Sequence, residues 1–365
     1  MKISAVLFGV VAALILGACS SHTPVYRPVA VEAFEQNLNV WRKARPETTA
    51  KRLQRAQIIE AAENMLLMQR DDGGWPTATH PLRELSFAER EAFINNKAAR
   101  DSSFAHHNIF PQIYYLSHVY LQTGDVRYRD AAKQGIGRVM DSQFYNGGWP
   151  LRPADIDGTR IDTRTTLNAL IFLRKIAAGK MPYGYIPFET RRKAADAVRK
   201  GDEWLLRVQQ AYDSRASIWS AVYGLESSAP IIDEKPGVAA LDVALSVDIV
   251  RYLMAIERPP SSVRRAVIGA ADWFGHYSLQ QWQANQPATK EAGIQTYSAM
   301  PLPGELQWSR YYDPVQNVPL INASSRQQLE SALWFNRQYL NTEFGAWPRD
   351  LLREHYPDWR IKNNL

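Results

Sequence analysis

The phrase Q-x-x-x-G-G-W-P occurs twice, as Gln69 to Pro76 and as Gln143 to Pro150, with 74 residues between matching positions. Each copy closes a stretch with helical apolar spacing, Arg52 to Gln69 and Tyr128 to Gln143. Paired glycines accept left-handed backbone values where a helix ends, and the proline prevents the helix from resuming. A unit of this length holds a pair of helix hairpins, so the repeat predicts an all-α (α/α) helical toroid whose inner loops line one groove. Trp75 and Trp149 hold the same place in each copy. Two roles suit them: a stacking face for sugar rings, or a packing clamp at a helix end.

Helical period dominates elsewhere. Ile113, Leu116, Val119 and Tyr120 recur at spacings of three and four, as do Val243, Val247, Val250 and Met254. Further helices are expected at Thr165–Ala178, Arg191–Gln210, Val263–Phe274 and Ser325–Tyr339. Long connections fall at His80–Arg100, Asp213–Val238 and Tyr277–Ala323, and loops of that length are commonly functional. Weaker echoes of the repeat run from Val208-Gln209-Gln210 to Trp219 and over Glu343–Pro348.

The N-terminus reads as a targeting segment. Lys2 precedes an apolar run, Ala5–Leu16, that is too short to span a bilayer. Leu16-Gly17-Ala18-Cys19 follows and resembles a bacterial lipobox, which implies cleavage before Cys19 and lipidation of its thiol. Ser20 after the cysteine favours the outer membrane of a Gram-negative cell envelope. The expected layout is a signal peptide at 1–18, a lipid-anchored tether at 19–45 and one helical toroid domain at 46–365. Cys19 is the single cysteine, so no internal disulfide is possible. The net charge of +6 suits an anionic partner or plain solubility. No P-loop, dinucleotide fingerprint, nucleophile elbow or zinc spacing occurs.

With these residues in view, the chain resembles the family 10 polysaccharide lyases, the pectate lyases. The resemblance runs from about Arg52 to Gln327. It is carried by Asn64–Pro76, Tyr120–Tyr128, Gln143–Pro150, Ile249–Glu257 and Trp308–Asp313. It implies β-elimination on an acidic, uronate-containing polysaccharide, with calcium and arginines neutralising the developing enediolate. The alternative is a glycan-binding or envelope-scaffold lipoprotein that has lost the chemistry. The expected partners are an acidic polysaccharide and the membrane, through the N-terminal lipid. No nucleic acid is expected, and the chain should act as a monomer.

The resemblance also assigns residues. Arg310 keeps the W-x-R-[FY]-Y-[DE] phrase and is the expected stabiliser of the enediolate, with Trp308 and Tyr311 as an aromatic wall. Ala105 stands where the family's calcium-associated aspartate would fall, and His106 and His107 follow it as candidate bases. Lys235 stands in a segment where the family carries a basic phrase, and is a third candidate base. Asp157 and Asp162 are the expected calcium ligands, or an acid and base. Arg160 and Arg164 beside them are candidate carboxylate clamps. Ion pairing with those aspartates is the plainer role.

Overall fold

The computed structural model describes residues 25–47, 51–152, 160–212, 215–233, 237–279, 306–320 and 344–365. Its frame is a repeat: an outer helix, a tight turn, then an inner helix. The helices in chain order are α1 (Glu35–Ala44), α2 (Ile58–Met68), α3 (Phe87–Asn95), α4 (Phe110–Thr123), α5 (Val126–Asp141), α6 (Thr163–Ala177), α7 (Phe188–Val208), α8 (Val243–Met254) and α9 (Ser261–His276). The outer row is α2, α5, α7 and α9, each packed on the next. The inner row is α4, α6 and α8, and the hairpins α4/α5, α6/α7 and α8/α9 join the rows. This is the (α/α) toroid arrangement. Among the described residues no helix is long and apolar enough to cross a membrane.

The repeated phrase explains how the rows are held. Gln69 ends α2, and its Nε2 donates to Gly73 O and to Ala131 O on α5, both at 2.9 Å. Gln143 does the same to Gly147 O and to Ala197 O on α7. Gln209, in the weaker echo, donates to Ser217 O and to Ala266 O on α9. One amide thus satisfies its own turn and ties that turn to the next outer helix. Gly73 has φ +85°, and a Cβ there would sit 2.6 Å from Gln134 O, so both conformation and space require glycine.

The tryptophans finish the clamp. Trp75 Nε1 donates to Met65 O, Trp149 Nε1 to Val139 O and Trp219 Nε1 to Leu205 O, each reaching back to a carbonyl of the preceding outer helix. Trp308 makes the corresponding bond to Phe274 O of α9. The fourth echo is therefore centred on Trp308. Residues 344–345 instead form a short strand paired with Trp308–Ser309.

Three boundaries differ from the sequence reading. Helix α2 begins at Ile58, because Arg52 pairs with Arg83 and Leu53 N bonds Leu82 O, an extended contact incompatible with helix. Within the long connection 80–100, α3 is started by a full capping box between Ser86 and Glu89. The packed body begins near Val29, within the segment 19–45, since Val29, Phe34, Leu38 and Trp41 are buried. The helix expected at 325–339 lies outside the described residues.

Candidate active site at the N-termini of the inner helices

Short strands deliver the chain into each inner helix. Strand β1 (Arg160–Asp162) leads into α6 and β2 (Leu241–Asp242) into α8. Antiparallel partners come from loops, Val222–Gly224 for β1 and Tyr311–Tyr312 for β2. The two modules are copies. Asp162 Oδ1 accepts from Thr165 N and Asp242 Oδ1 from Leu245 N, so each aspartate caps its helix. Thr166 Oγ1 and Ser246 Oγ accept from the Trp149 and Trp219 amides. The loops repeat as well. In Trp219-Ser-Ala-Val-Tyr223 the tyrosine hydroxyl accepts from Ser220 N, and in Trp308-Ser-Arg-Tyr-Tyr312 from Ser309 N. The carbonyls of Ala221 and Arg310 accept from Thr163 N and Val243 N, both at 2.9 Å. Ala221 and Arg310 therefore fill the same slot in successive copies.

Arg310 is the distinctive side chain of its slot. Its Nη2 donates to Asp242 Oδ2 at 3.3 Å, and its guanidinium lies 5.3 Å from the Tyr311 ring centroid. Its Nε is buried and has no hydrogen-bond partner among the described residues. At half exposure (38 %) against 5 % for Asp242, the arginine presents donors outward while its counter-ion stays inside. Planar guanidinium donors held in this way suit a carboxylate.

The neighbouring slot is acidic. Burial, first, and then Asp233 nearby raise the Asp162 carboxyl above the usual carboxylate range, against the Thr165 hydrogen bond and Arg164. Arg160 Nη2 donates to Ile232 O and stands 3.9 Å from Asp233. Arg164 is committed elsewhere, to Asp248 of α8 at 2.6 Å. Neither arginine pairs directly with Asp162. Arg160 and Arg164 are thus held by Asp233 and Asp248, acids that the sequence reading did not single out. Asp242 was missed too. Its signal is the shared pattern Asp-x-x-x-[TS] in Asp162–Thr166 and Asp242–Ser246.

The histidines sit apart. Ala105–His107 forms a 3-10 turn with His106 at φ 56°, His107 at φ 60° and Ile109 at φ 76°. Left-handed values at three non-glycine residues within four positions cost on the order of 1–3 kcal/mol each, and such strain concentrates at functional sites. Burial, first, and then Lys175 hold the His107 imidazole below its ordinary range. Lys175 is eleven residues along α6 from Arg164, roughly 16 Å at the helical rise. His107 is therefore removed from the acids around Arg164. His106 is exposed.

Trp75, Trp149 and Trp308 are fully buried, with their indole N–H groups bonded to helix carbonyls. They are clamps, and no ring face is left for a sugar. Tyr311 remains partly exposed beneath Arg310. Asp157, Lys235 and Cys19 lie outside the described residues. Calcium takes six to eight oxygen ligands. Among the described residues no group of three or more His, Cys, Asp or Glu converges. Asp162 and Asp233, with Arg160 and Arg164 close by, do not form such a cage, and Ala105 adds no carboxylate.

Comparison with known proteins is consistent with this architecture. The pectic acid lyase family matches residues 69–335. A mutant of the family 10 polysaccharide lyase from Cellvibrio cellulosa, in complex with trigalaturonic acid, is similar in structure, with a TM-score of 0.59 and 19% identity over 93% of this chain and 100% of that one. A second structure of the family 10 polysaccharide lyase from Cellvibrio cellulosa gives 0.57 and 18%, over 93% and 99%. At that identity these likenesses show the shared fold. No curated protein matches the chain. The matched segment contains both GGWP turns, both aspartate-capped inner helices and Arg310, and the chain belongs to the pectic acid lyase family.

Proposed function

We propose that the chain is a pectate-lyase-like polysaccharide lyase that cleaves an acidic, uronate-containing polysaccharide by β-elimination. A base removes the proton at C5 of the uronate, the electron pair forms the C4–C5 double bond, and the C4–O bond breaks with the glycosidic oxygen leaving. Charge develops on the C5 carboxylate as an enediolate, and stabilising that charge is the main catalytic task. The observation that carries this reading is Arg310, with its guanidinium stacked on Tyr311, one bond to a buried aspartate and an unpartnered Nε. The candidate base is Asp162, which caps α6 just as Asp242, the partner of Arg310, caps the adjacent α8. His107 lines a cavity with Lys175, roughly 16 Å along α6 from Arg164.

The test is absorbance at 235 nm from unsaturated uronate, with the chain acting on polygalacturonate, alginate and glycosaminoglycans. Arg310→Lys keeps the charge but loses the planar fork, and Asp162→Asn keeps the helix cap but loses the base. Each should lower kcat by about 10²–10³, the usual scale for removing a transition-state partner. A flat trace on every polymer, with binding retained, would replace this reading with a glycan-binding lipoprotein.

We also infer attachment to the outer membrane by lipid on Cys19, with the body held near the membrane by the short tether that precedes Val29. Support comes from the Leu16–Cys19 phrase and the apolar run before it.

A further inference from the structure

A second cavity lies along α6, and none of the residues around Arg310 lines it. This cavity of about 400 Å3 lies between α4 and α6 and is closed on one side by the N-terminal segment at Ala30, Glu32, Ala33 and Phe34. Its volume is in the range of small-ligand sites. Phe110, Tyr114, Phe172 and Tyr183 form aromatic walls, and Phe110 and Phe172 pack at 5.3 Å. Three polar side chains converge on it, His107 from the strained turn and Asn168 and Lys175 from one face of α6. Among the described residues none of these three side chains is joined to another by a hydrogen bond or ion pair. Glu32 is the one acid in the lining. Its carboxylate accepts from Val31 N and stands 3.9 Å from Arg55, so it is already engaged.

Aromatic faces beside a cation, an amide and an imidazole match the chemistry of a sugar ring that bears a carboxylate. We propose that this cavity is a subsite for one uronate residue of the polymer, with the ring against Tyr114 and Phe110 and the carboxylate on Lys175 and Asn168. The inference rests on the polysaccharide-lyase reading and extends it. Lys175 lies roughly 16 Å along α6 from Arg164. A monosaccharide cannot bridge that distance, whereas a polymer chain can. The same geometry gives the strained turn a task, since it aims His107 at the sugar.

The experiment is calorimetric titration of the full chain with galacturonate oligomers of one to six units and with their carboxyl-reduced counterparts. Lys175 is exposed at the rim, so Lys175→Met should fold, and an unchanged melting temperature checks this. For the longest acidic oligomers Lys175→Met should weaken binding by ~10-fold, the scale of one charge-assisted contact. The reduced oligomers should bind wild type and variant alike. In wild type, oligomer binding should also raise the titration midpoint of the His107 imidazole, followed by NMR, because an anion beside it favours its charged form. Equal affinity of wild type and Lys175→Met for the hexamer, with 235 nm activity present, would overturn the subsite and leave the lyase reading standing. An equal loss for acidic and reduced oligomers would overturn the carboxylate role. Wild type that binds none of the oligomers would overturn both.

Discussion

Replacing Gln69 by glutamate exchanges a single NH2 group for oxygen, and that change tests how the rows of the toroid are joined. Gln69 is 6 % exposed, and its Nε2 serves two carbonyls, Gly73 O in its own turn and Ala131 O on α5. A carboxylate faces both with lone pairs. Two hydrogen bonds at about 1 kcal/mol each are lost, both carbonyls now face a like-charged oxygen (Ala131 O keeping only its helical bond within α5), and a desolvated charge is added. Together these predict a loss of about 3–5 kcal/mol at pH 8. Lys97 offers limited rescue, since its Nζ already donates to Leu66 O and Gln69 O. The new carboxyl should have its folded pKa raised above the unfolded value near 4.3. The sign follows from linkage. A raised folded pKa gives stability that is present at low pH and lost as pH rises through it. A protonated carboxyl regains one donor, so the deficit at pH 5 should be smaller by about 2 kcal/mol. Gln69→Met, which loses the donors without adding charge, should show a deficit independent of pH. Urea unfolding followed by helical circular dichroism at pH 5 and pH 8, each referred to wild type at the same pH, measures this. A deficit for Gln69→Glu that is the same at both pH values, or below ~0.5 kcal/mol, would refute the clamp.

Three further outcomes are expected. Trp149→Phe removes the indole bond to Val139 O and leaves a void, so it should cost about 2–3 kcal/mol in urea unfolding with no change in affinity for acidic oligomers. Reduced affinity would return the indole to the groove. His80 is buried edge-on to Trp41, and burial, first, then Arg83, Arg52 and Arg42 lower its pKa from 6.5 to about 4. A depressed histidine is neutral in the fold, so stability is full above pH 6.5 and falls as pH drops towards 4. The loss is ~3 kcal/mol, and His80→Leu should abolish that slope in melts across the window. Cys19→Ser should move the chain from the membrane fraction to the soluble fraction, and retention in the membrane would count against lipidation.

The turns were legible because Gly-Gly followed by Trp-Pro leaves the backbone few choices. The direction of the tryptophan was not, since an aromatic at a loop gives no sign of which way it points. The decisive partners are carbonyls ten residues back, Met65 for Trp75 and Val139 for Trp149. The third copy was faint because the Gly-Gly turn is replaced by a longer connection, so Gln209 and Trp219 stand ten residues apart. Its amide still makes both bonds. Arg310 is singled out by its phrase, and the structure pairs it with Asp242. Asp242 and Asp248 were hidden, because Asp248 meets Arg164 only after α8 has packed beside α6, and Asp242 meets Arg310 only after Tyr311–Tyr312 has paired with Leu241–Asp242. The meeting of His107 and Lys175 is a matter of tertiary packing, and no local spacing announces it.

The same repeat separates the fold from the chemistry. At Ala221 and Arg310 the framework uses only the carbonyl, which accepts the first amide of α6 or of α8. The side chain there is not needed to hold the ring, so a methyl group in one copy and a guanidinium in the next are both tolerated. Ala105 fits the same logic. Its turn is held by Ser103 Oγ, which accepts from Ala105 N, and by Asn108, whose amide donates to Trp75 O and Ser103 O. An acid can disappear from that position without disturbing any of these bonds. On the proposed lyase reading, binding and turnover would be decided at a few slots on the inner helices, Arg310, Asp162 and the His107–Lys175 cavity. The tryptophans of the GGWP turns, which identify the fold most readily, are buried against helix carbonyls and offer no ring face to a ligand.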